Sequence, residues 1–187
     1  MNIENVVAQV KTYVPAFGGR VSGAADFASG LETVVNMALP AAFVLALEDD
    51  ATENDTWPGL QQAVTERIGV VIQFDNTTGS DADARTGFAG IDQVYPMRAA
   101  VFSALLSWLP PDQVGRAARG LAYGGGRMLT FDRARLFWQF EFTLETTITD
   151  ADGFADVGDP LTGALVTLQP SGDPGPAIPI VVNIPVT

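Results

Sequence analysis

The segment Tyr-Gly-Gly-Gly-Arg at residues 123–127 is the first candidate for chemistry, because glycine-rich loops can hold phosphate groups. Such a loop follows a strand, opens a helix, and carries a lysine followed by serine or threonine. Here there is no lysine and no following hydroxyl residue, and the next residues have the pattern of a strand. We therefore predict that the glycines allow positive φ in a loop that turns the chain, and that they bind no phosphate.

The acidic run EDDATENDTWPG at residues 48–59 is the candidate for a cation site, because Ca²⁺ takes oxygen ligands. Its spacing is not that of a calcium loop, and its Asp, Asn, Pro and Gly residues are turn formers. We predict an exposed acidic loop here and the same for residues 81 and 83, with no metal site in either. The carboxylates concerned are Glu48, Asp49, Asp50, Glu53, Asp55, Asp81 and Asp83.

A pair of carboxylates can hydrolyse glycosides without histidine, and Glu141 and Glu145 are the candidate pair. On one strand their Cα atoms would lie about 13 Å apart, beyond the usual range for either glycosidase mechanism. We interpret them as polar residues on an exposed sheet face.

Three tryptophans, Trp57, Trp108 and Trp138, could stack on sugars or bases. However, Trp108 and Trp138 fall on the apolar sides of a predicted helix and a predicted strand. We therefore expect both to pack in the core.

The composition excludes several kinds of active site. The 187 residues include no histidine and no cysteine, so Ser-His and Cys-His nucleophile pairs, thiolate metal sites and disulfides are impossible. No convergent polar constellation stands out on the predicted loops. These absences are consistent with a protein that is not an enzyme and has no catalytic or metal-binding residues and no cofactor, although they do not prove it, because carboxylates alone can catalyse hydrolysis.

The formal net charge is −12, from 22 acidic residues against 10 basic ones. Tight binding to nucleic acid depends on clustered cations, so this balance argues against it. An acidic surface can still face DNA and keep it mobile by repulsion. No signal peptide is recognised at the N-terminus, and no apolar run approaches the roughly 20 residues of a membrane span. We expect a soluble protein made in the cytoplasm, without a membrane partner.

Apolar periodicity places the main elements. Spacings of three and four predict a helix over residues 3–14 that stops at Pro15, and a second helix over about 90–109, with Pro96 inside it and Pro110 after it. Strands are predicted within residues 38–50 and 65–76, followed by a flexible connection over residues 77–87.

Residues 135–148 alternate between apolar even positions and mostly polar odd ones. This period of two predicts a long strand with one buried and one wet face. The preceding RMLTF is predicted to pair with it through a hairpin turn at residues 132–134. A strand of this length would extend about 45 Å, so we expect its end to leave the compact body.

Beyond residue 149 the chain is rich in Gly, Pro and Asp, with two short apolar islands, ALVTLQ and IVVNIPV. These islands are too few for a second core. We predict a domain over residues 1–149 and an extended arm with short strands over residues 150–187, which pairs with another molecule.

Six motifs follow one another along the chain: Gly19 to Val21, Pro40 to Leu45, Glu66 to Val71, Leu105 to Pro110, Tyr123 to Arg127, and Trp138 to Phe142. This ordered set resembles the tail terminator proteins of long-tailed bacteriophages, in particular those of Mu-like phages. The resemblance covers about residues 3–149 and does not extend to the arm.

The resemblance implies an α+β fold, a mostly antiparallel β-sheet with helices packed on one face. The extended C-terminal arm is predicted from the composition of residues 150–187 and not from the resemblance. The resemblance also implies a structural virion protein of the tail or neck. Such a protein caps the tail tube as a homohexameric ring, ends tube polymerisation and contacts the tail-tube protein and the head-completion (stopper) protein. DNA would pass through the lumen without specific binding.

Other functions stay open on the sequence alone. Within the virion, the alternatives are a head-to-tail stopper or a tail-tube subunit. Outside it, the alternatives are an acidic binding module, which would lose its cationic partner as salt rises, and a carboxylate-dependent hydrolase.

Overall fold

The computed structural model describes residues 1–24, 38–54, 58–77, 80–116, 118–153, 163–168 and 178–183. In these ranges the helices are α1 (Ile3–Tyr13), α2 (Asp81–Thr86) and α3 (Phe88–Leu105). The strands are β1 (Val21–Ser22), β2 (Ala41–Ala51), β3 (Gln61–Asp75), β4 (Ala122–Phe131), β5 (Arg135–Thr149), β6 (Gly163–Leu168) and β7 (Ile178–Asn183).

Within the described residues, the first five strands form one mixed sheet in the order β1-β2-β3-β5-β4. The short β1 is parallel to β2, and every other neighbouring pair is antiparallel. The hairpin turn lies where the sequence predicts it, because Asp132 Oδ1 accepts hydrogen bonds from the backbone N–H groups of Ala134 and Arg135. The predicted α+β class with a mostly antiparallel sheet is confirmed.

Helix α1 follows directly from its sequence. The side chain of Asn2 caps it by accepting a hydrogen bond from the backbone N–H of Glu4, and the chain leaves the helix just before Pro15. The stripe predicted by the apolar spacing faces inward, with Val6 and Val10 fully buried. Together with α3, this stripe covers one face of the sheet.

The main core lies between these helices and the even-numbered residues of β3 and β5. Ile68, Ile72, Phe140 and Phe142 have at most 1% of their surface exposed. Each such side chain contributes about 1.5–3 kcal/mol through burial of apolar surface. The predicted core face of both strands is therefore confirmed.

The opposite face of the sheet is not uniformly wet, which corrects the sequence-based prediction. Phe43, Val71 and Phe137 form a second buried cluster there, and Gln139 is also buried. The apolar exception in the alternating pattern, Phe137, was the sequence signal for this cluster.

Two further predictions are wrong. The predicted flexible connection at residues 77–87 contains α2, because Ser80 and Asp83 form a reciprocal capping box at its start. The long helix begins at Phe88 rather than near residue 90, and it ends at Leu105, so Trp108 follows it. Pro96 lies inside α3 without ending the helix.

Asn76 connects three elements from a fully buried position. Its Nδ2 donates to the carbonyl oxygens of Ala84 at 2.7 Å and Asp132 at 2.6 Å, and its Oδ1 accepts from Gly90 N–H at 3.2 Å. Hydrogen bonds from this one side chain thus connect the end of α2, the start of α3 and the β4–β5 hairpin.

Replacing Asn76 with alanine should lower the free energy of unfolding by about 2 kcal/mol, because it leaves buried backbone groups without partners. Chemical denaturation of the purified protein measures this. The matched control is Asn54→Ala, since Asn54 is exposed and its hydrogen bonds join exposed groups. An equal effect for both substitutions would contradict the connecting role of Asn76.

Asp112 fixes the start of α1 across 110 residues of sequence. It accepts hydrogen bonds from Asn2 N–H at 2.9 Å and from Asn5 Nδ2 at 2.7 Å. Although Asp112 is exposed, partial desolvation raises the pKa of this carboxyl, but hydrogen bonds from Gln113, Asn5 and Asn2 outweigh it and leave the pKa below its usual value of 3.8.

Because the pKa of Asp112 is lowered in the folded state, its contribution to stability is present above its unfolded pKa and is lost as pH falls through the folded pKa. Asp112→Asn should cost less than about 1 kcal/mol near neutral pH, since the site is exposed. The stability difference between the two proteins should shrink below about pH 4. Denaturation series at neutral and acid pH measure it, and a difference that grows toward acid pH would contradict the assignment.

Residues 151–187 form a unit separate from residues 1–150 by their contacts. In its described part, β6 and β7 are antiparallel, with Gly163 opposite Asn183 and Leu168 opposite Ile178. The two apolar islands therefore pair with each other, where the sequence analysis expected pairing with another molecule.

Candidate functional site

The triglycine segment lies within strand β4, which corrects its prediction as a turning loop. Gly125 and Gly126 pair with Glu141 and Phe140 of β5, and a β-bulge lies between Tyr123 and Gly125. Gly125 has a φ of +150°. The segment leads into no helix, so it offers no helix N-terminus for a phosphate.

Strand β4 is the outermost strand of the sheet and exposes an apolar row. Tyr123, Met128, Leu129 and Phe131 each have 37–42% of their surface exposed. In the part of the chain that the structure describes, β4 pairs with β5 alone. An exposed edge with apolar side chains is the usual template for pairing with another chain. The sequence predicted residues 127–131 of this strand as the hairpin partner of β5, but carried no sign of its edge position.

The acidic residues 48–50 lie in β2 rather than in a loop. Arg67 of the neighbouring β3 holds two of them, with Nη1 2.7 Å from Glu48 Oε1 and Nη2 3.1 Å from Asp50 Oδ2. Asp49 points to the other face, opposite Glu66. Glu66 in turn accepts a hydrogen bond from the N-terminal amino group of Met1.

The predicted acidic loop is thus the end of a strand. Glu53 is exposed after β2, whereas Asp55 and Trp57 lie outside the described residues. Among the residues that the structure describes, no group of three or more acidic side chains has a geometry suited to a metal ion.

The distal sheet is formed by the far ends of three strands: residues 48–51 of β2, 61–67 of β3 and 143–149 of β5. β5 pairs with β3 along its entire length, from Arg135 opposite Asp75 to Thr149 opposite Gln61. All the β2 residues of the distal sheet are exposed. The end of the long strand therefore stays paired with β3, which satisfies much of its backbone hydrogen bonding, and Leu144 and Thr146 within it are buried.

Glu141 and Glu145 lie on the same strand face, as predicted. Glu145 Oε2 lies 3.6 Å from Arg119 Nη1, and both side chains are largely exposed. The two carboxylates share no hydrogen-bonding partner in the described residues, and their interpretation as surface residues fits this geometry.

The tryptophan prediction holds only in part. Trp108 and Trp138 both pack against the main core, yet both are only partly buried. Trp138 Nε1 is buried without a hydrogen-bond partner in the described residues.

A groove of about 840 Å³ runs along α3 on the helical side of the sheet. Its lining residues include the apolar Pro40, Phe88, Pro96 and Met97 and the acidic Asp83 and Asp92. Hydrogen bonds from the Ser80 side chain and backbone lower the pKa of Asp83, so this carboxylate stays charged at neutral pH. No pattern in the sequence predicted this groove, because its residues belong to elements that were interpreted as core or as a connection.

Another exposed aromatic group lies on α3. Arg98 stacks over Tyr95 at 5.1 Å and over Phe102 at 5.8 Å, and Tyr95 is 64% exposed. Exposed aromatic and arginine side chains are common at protein interfaces. The described surface thus offers two apolar areas, the β4 edge and the α3 groove with its neighbours, and no cluster of catalytic groups.

No helix among the described residues is long and apolar enough to cross a membrane. The family model for "Phage tail terminator protein" matches residues 1–152. No curated protein matches the chain. Among solved structures, a chain from the "Virion of native gene transfer agent (GTA) particle" is similar over 76% of this chain and 95% of its own length, with 14% identity and a TM-score of 0.43.

Proposed function

Because the chain belongs to the phage tail terminator protein family, we propose that it caps the tail tube and ends tube polymerisation. It is a structural protein of the tail and a component of the virion. The family match over residues 1–152 is the observation that carries this proposal. The cap is a homohexameric ring that lies on the last ring of tail-tube protein. Its opposite surface binds the head-completion protein of the neck, and assembly takes place in the host cytoplasm.

The exposed surfaces of the described residues support an assembling role. Phe88, Tyr95 and Val114 are 59%, 64% and 69% exposed, and the β4 edge adds four more partly exposed apolar side chains. Exposed aromatic side chains such as Phe88 and Tyr95 are common at protein interfaces. A ring needs contacts between two different surfaces of each subunit, and the two sides of the described sheet, β2 and β4, are different surfaces of this kind.

The charge supports passage of DNA through the ring. Six copies at −12 each would carry −72. DNA is repelled by acidic walls within a Debye length of about 10 Å, so it would slide through without being held. The protein itself performs no catalysis in this role, and its function requires no cofactor.

The C-terminal unit, residues 151–187, is proposed to contact a neighbouring subunit or neck protein. Its described strands, β6 and β7, form a two-stranded sheet. A two-stranded sheet is at best marginally stable alone, so contact with a partner surface would stabilise it.

Deleting residues 151–187 should leave residues 1–150 folded, because they form a separate unit by their contacts. The truncated chain should nevertheless give at least about a tenfold lower yield of infectious particles, since each lost neighbour contact weakens assembly. Plaque titres with the truncated gene measure the loss, and circular dichroism controls for folding. An unchanged titre would refute a role of this unit in assembly.

The location and copy number of the protein in the particle test the proposal against its nearest alternative. Immunogold labelling and quantitative mass spectrometry of purified tails should find it at the head-proximal end, in six copies. A tail-tube subunit would label the whole length and be far more abundant. Labelling along the whole tail would show that the protein is a tail-tube subunit and not a terminator.

A further inference from the structure

The sheet has two open edges of opposite charge. On one side, β1 pairs with β2 at Ala42 and Phe43 only, and in the described residues no strand pairs with the outer edge of β2 beyond them. On the other side, β4 is the last strand. The open part of β2 contains Glu48, Asp49 and Asp50 and no cation, whereas β4 contains Arg127 and no acidic residue.

Register places the charges of the two edges on the same face of the sheet. Glu48 is opposite Arg67 in β3, and Arg127 is opposite Gln139 in β5, which is itself paired with Val71. Arg67 and Val71 are four residues apart on one strand, so both belong to the face away from the helices. Asp50, two residues beyond Glu48, shares this face.

The carboxylates of β2 can form ion pairs with one more cation. Glu48 and Asp50 both bind Arg67, so two carboxylates share one guanidinium group. Arg127 has no ion pair in the described part of the chain and is exposed. A second arginine arriving at the outer edge of β2 would complete a network of two carboxylates and two arginines.

We propose that the β4 edge of one copy pairs with the β2 edge of the next copy, with Arg127 meeting Glu48 and Asp50 of its neighbour. This inference rests on the proposed function, since it assigns the contacts within the proposed ring. Gly125, Gly126, Arg127 and Met128 form the regular stretch between the two bulges of β4, and its two glycines leave the backbone accessible to the incoming strand.

Strand direction favours this arrangement. From β2 through β3 and β5 to β4 every neighbouring pair is antiparallel, so β4 runs opposite to β2. Rotation about an axis along the strands preserves these directions in every copy. β4 of one copy therefore meets β2 of the next in antiparallel pairing, the more stable kind.

Charge disfavours the alternative two-fold dimer. Such a dimer would place β4 against β4 or β2 against β2, and like charges directly opposite one another destabilise a pair of strands. Pairing of unlike edges leaves one open edge at each end of a chain of copies, and it closes only in a ring. Pairing of unlike edges therefore favours rotational ring symmetry, which the proposed cap requires.

Charge reversal on each edge gives a direct test. Arg127→Glu makes β4 acidic, and Asp50→Arg makes the β2 edge basic, so each variant alone places like charges in every contact between copies. When the two variants are mixed, edges that carry glutamate at position 127 meet edges that carry arginine at position 50, and the remaining contacts are native. Copies of the two variants should then alternate around a ring with an even number of subunits.

The assay is complementation of a phage whose own copy of the gene is disrupted, with the variants supplied from plasmids. Each variant alone should lower the yield of infectious particles at least about tenfold, since like-charge contacts at an interface are strongly unfavourable. Co-expression of both should restore the yield. Lys11→Glu, a charge change of the same size at an exposed site on α1, is the matched control and should complement fully.

The rescue cannot arise within one chain, because β2 and β4 are separated by two strands and lie about 14 Å apart. Circular dichroism and melting temperature show whether each variant folds. Full complementation by either variant alone, or failure of the folded variants to restore the yield together, would overturn the edge pairing. If particles lacking the protein have normal tails, the proposed function fails instead.

Discussion

Phe142→Ala should lower the free energy of unfolding by about 3–5 kcal/mol, the cost of a large cavity in a packed core. Phe142 has no exposed surface and lies in β5, on the sheet face that packs against α3. Its ring makes edge-to-face contacts with Phe102 and Tyr123, at centroid distances of 6.2 Å and 5.8 Å. The substitution therefore removes both buried area and aromatic contacts.

Denaturant unfolding followed by tryptophan fluorescence measures this loss. Phe88→Ala is the matched control, because the Phe88 side chain is 59% exposed and should change stability by at most about 0.5 kcal/mol. Trp138→Ala should fall between the two, since Trp138 is only partly buried. A Phe142→Ala protein as stable as the control would place the core on the other face of β5.

Gly120→Ala should destabilise the protein by about 3 kcal/mol or more, although it adds only one methyl group. A Cβ atom at Gly120 would lie 2.3 Å from the carbonyl oxygen of Ser107 and 2.5 Å from its carbonyl carbon. These are backbone atoms, held in place by hydrogen bonds that Ser107 and Trp108 form with Leu121. The clash cannot be relieved by turning a side chain.

Thermal unfolding of Gly120→Ala beside Gly124→Ala provides the comparison. At Gly124 the added carbon would lie 3.6 Å from its nearest neighbours, an ordinary contact distance. The Gly124 variant should therefore be as stable as the parent protein. Equal melting temperatures for both variants would mean that the Ser107 and Gly120 segments do not pass this close.

The sequence predicts the parts of this fold that depend on periodicity. The apolar stripe of α1 and the alternation in β5 predict that Val6, Val10, Phe140 and Phe142 lie in the core, and all four are buried. A period of two or of 3.6 is a local property, so a single sequence reveals it. The hairpin turn at Asp132 is local for the same reason, since its carboxylate bonds backbone groups two and three residues ahead.

What the sequence does not predict depends on contacts far along the chain. The sequence alone does not show that the acidic residues 48–50 lie in a strand, because two of them form ion pairs with Arg67 of a neighbouring strand. The three glycines at 124–126 look like a turn until β5 pairs with them. The open edges of β2 and β4 follow from strand order, which no local pattern contains.

The length distribution of tails from particles made without this protein is the sharpest test of the proposed cap. Electron microscopy of lysates from a phage with the gene disrupted gives that distribution. A protein that ends tube polymerisation predicts tails of uncontrolled length that are not joined to heads. Tails of normal length that fail only to join heads would contradict it and assign the protein to the joining step instead.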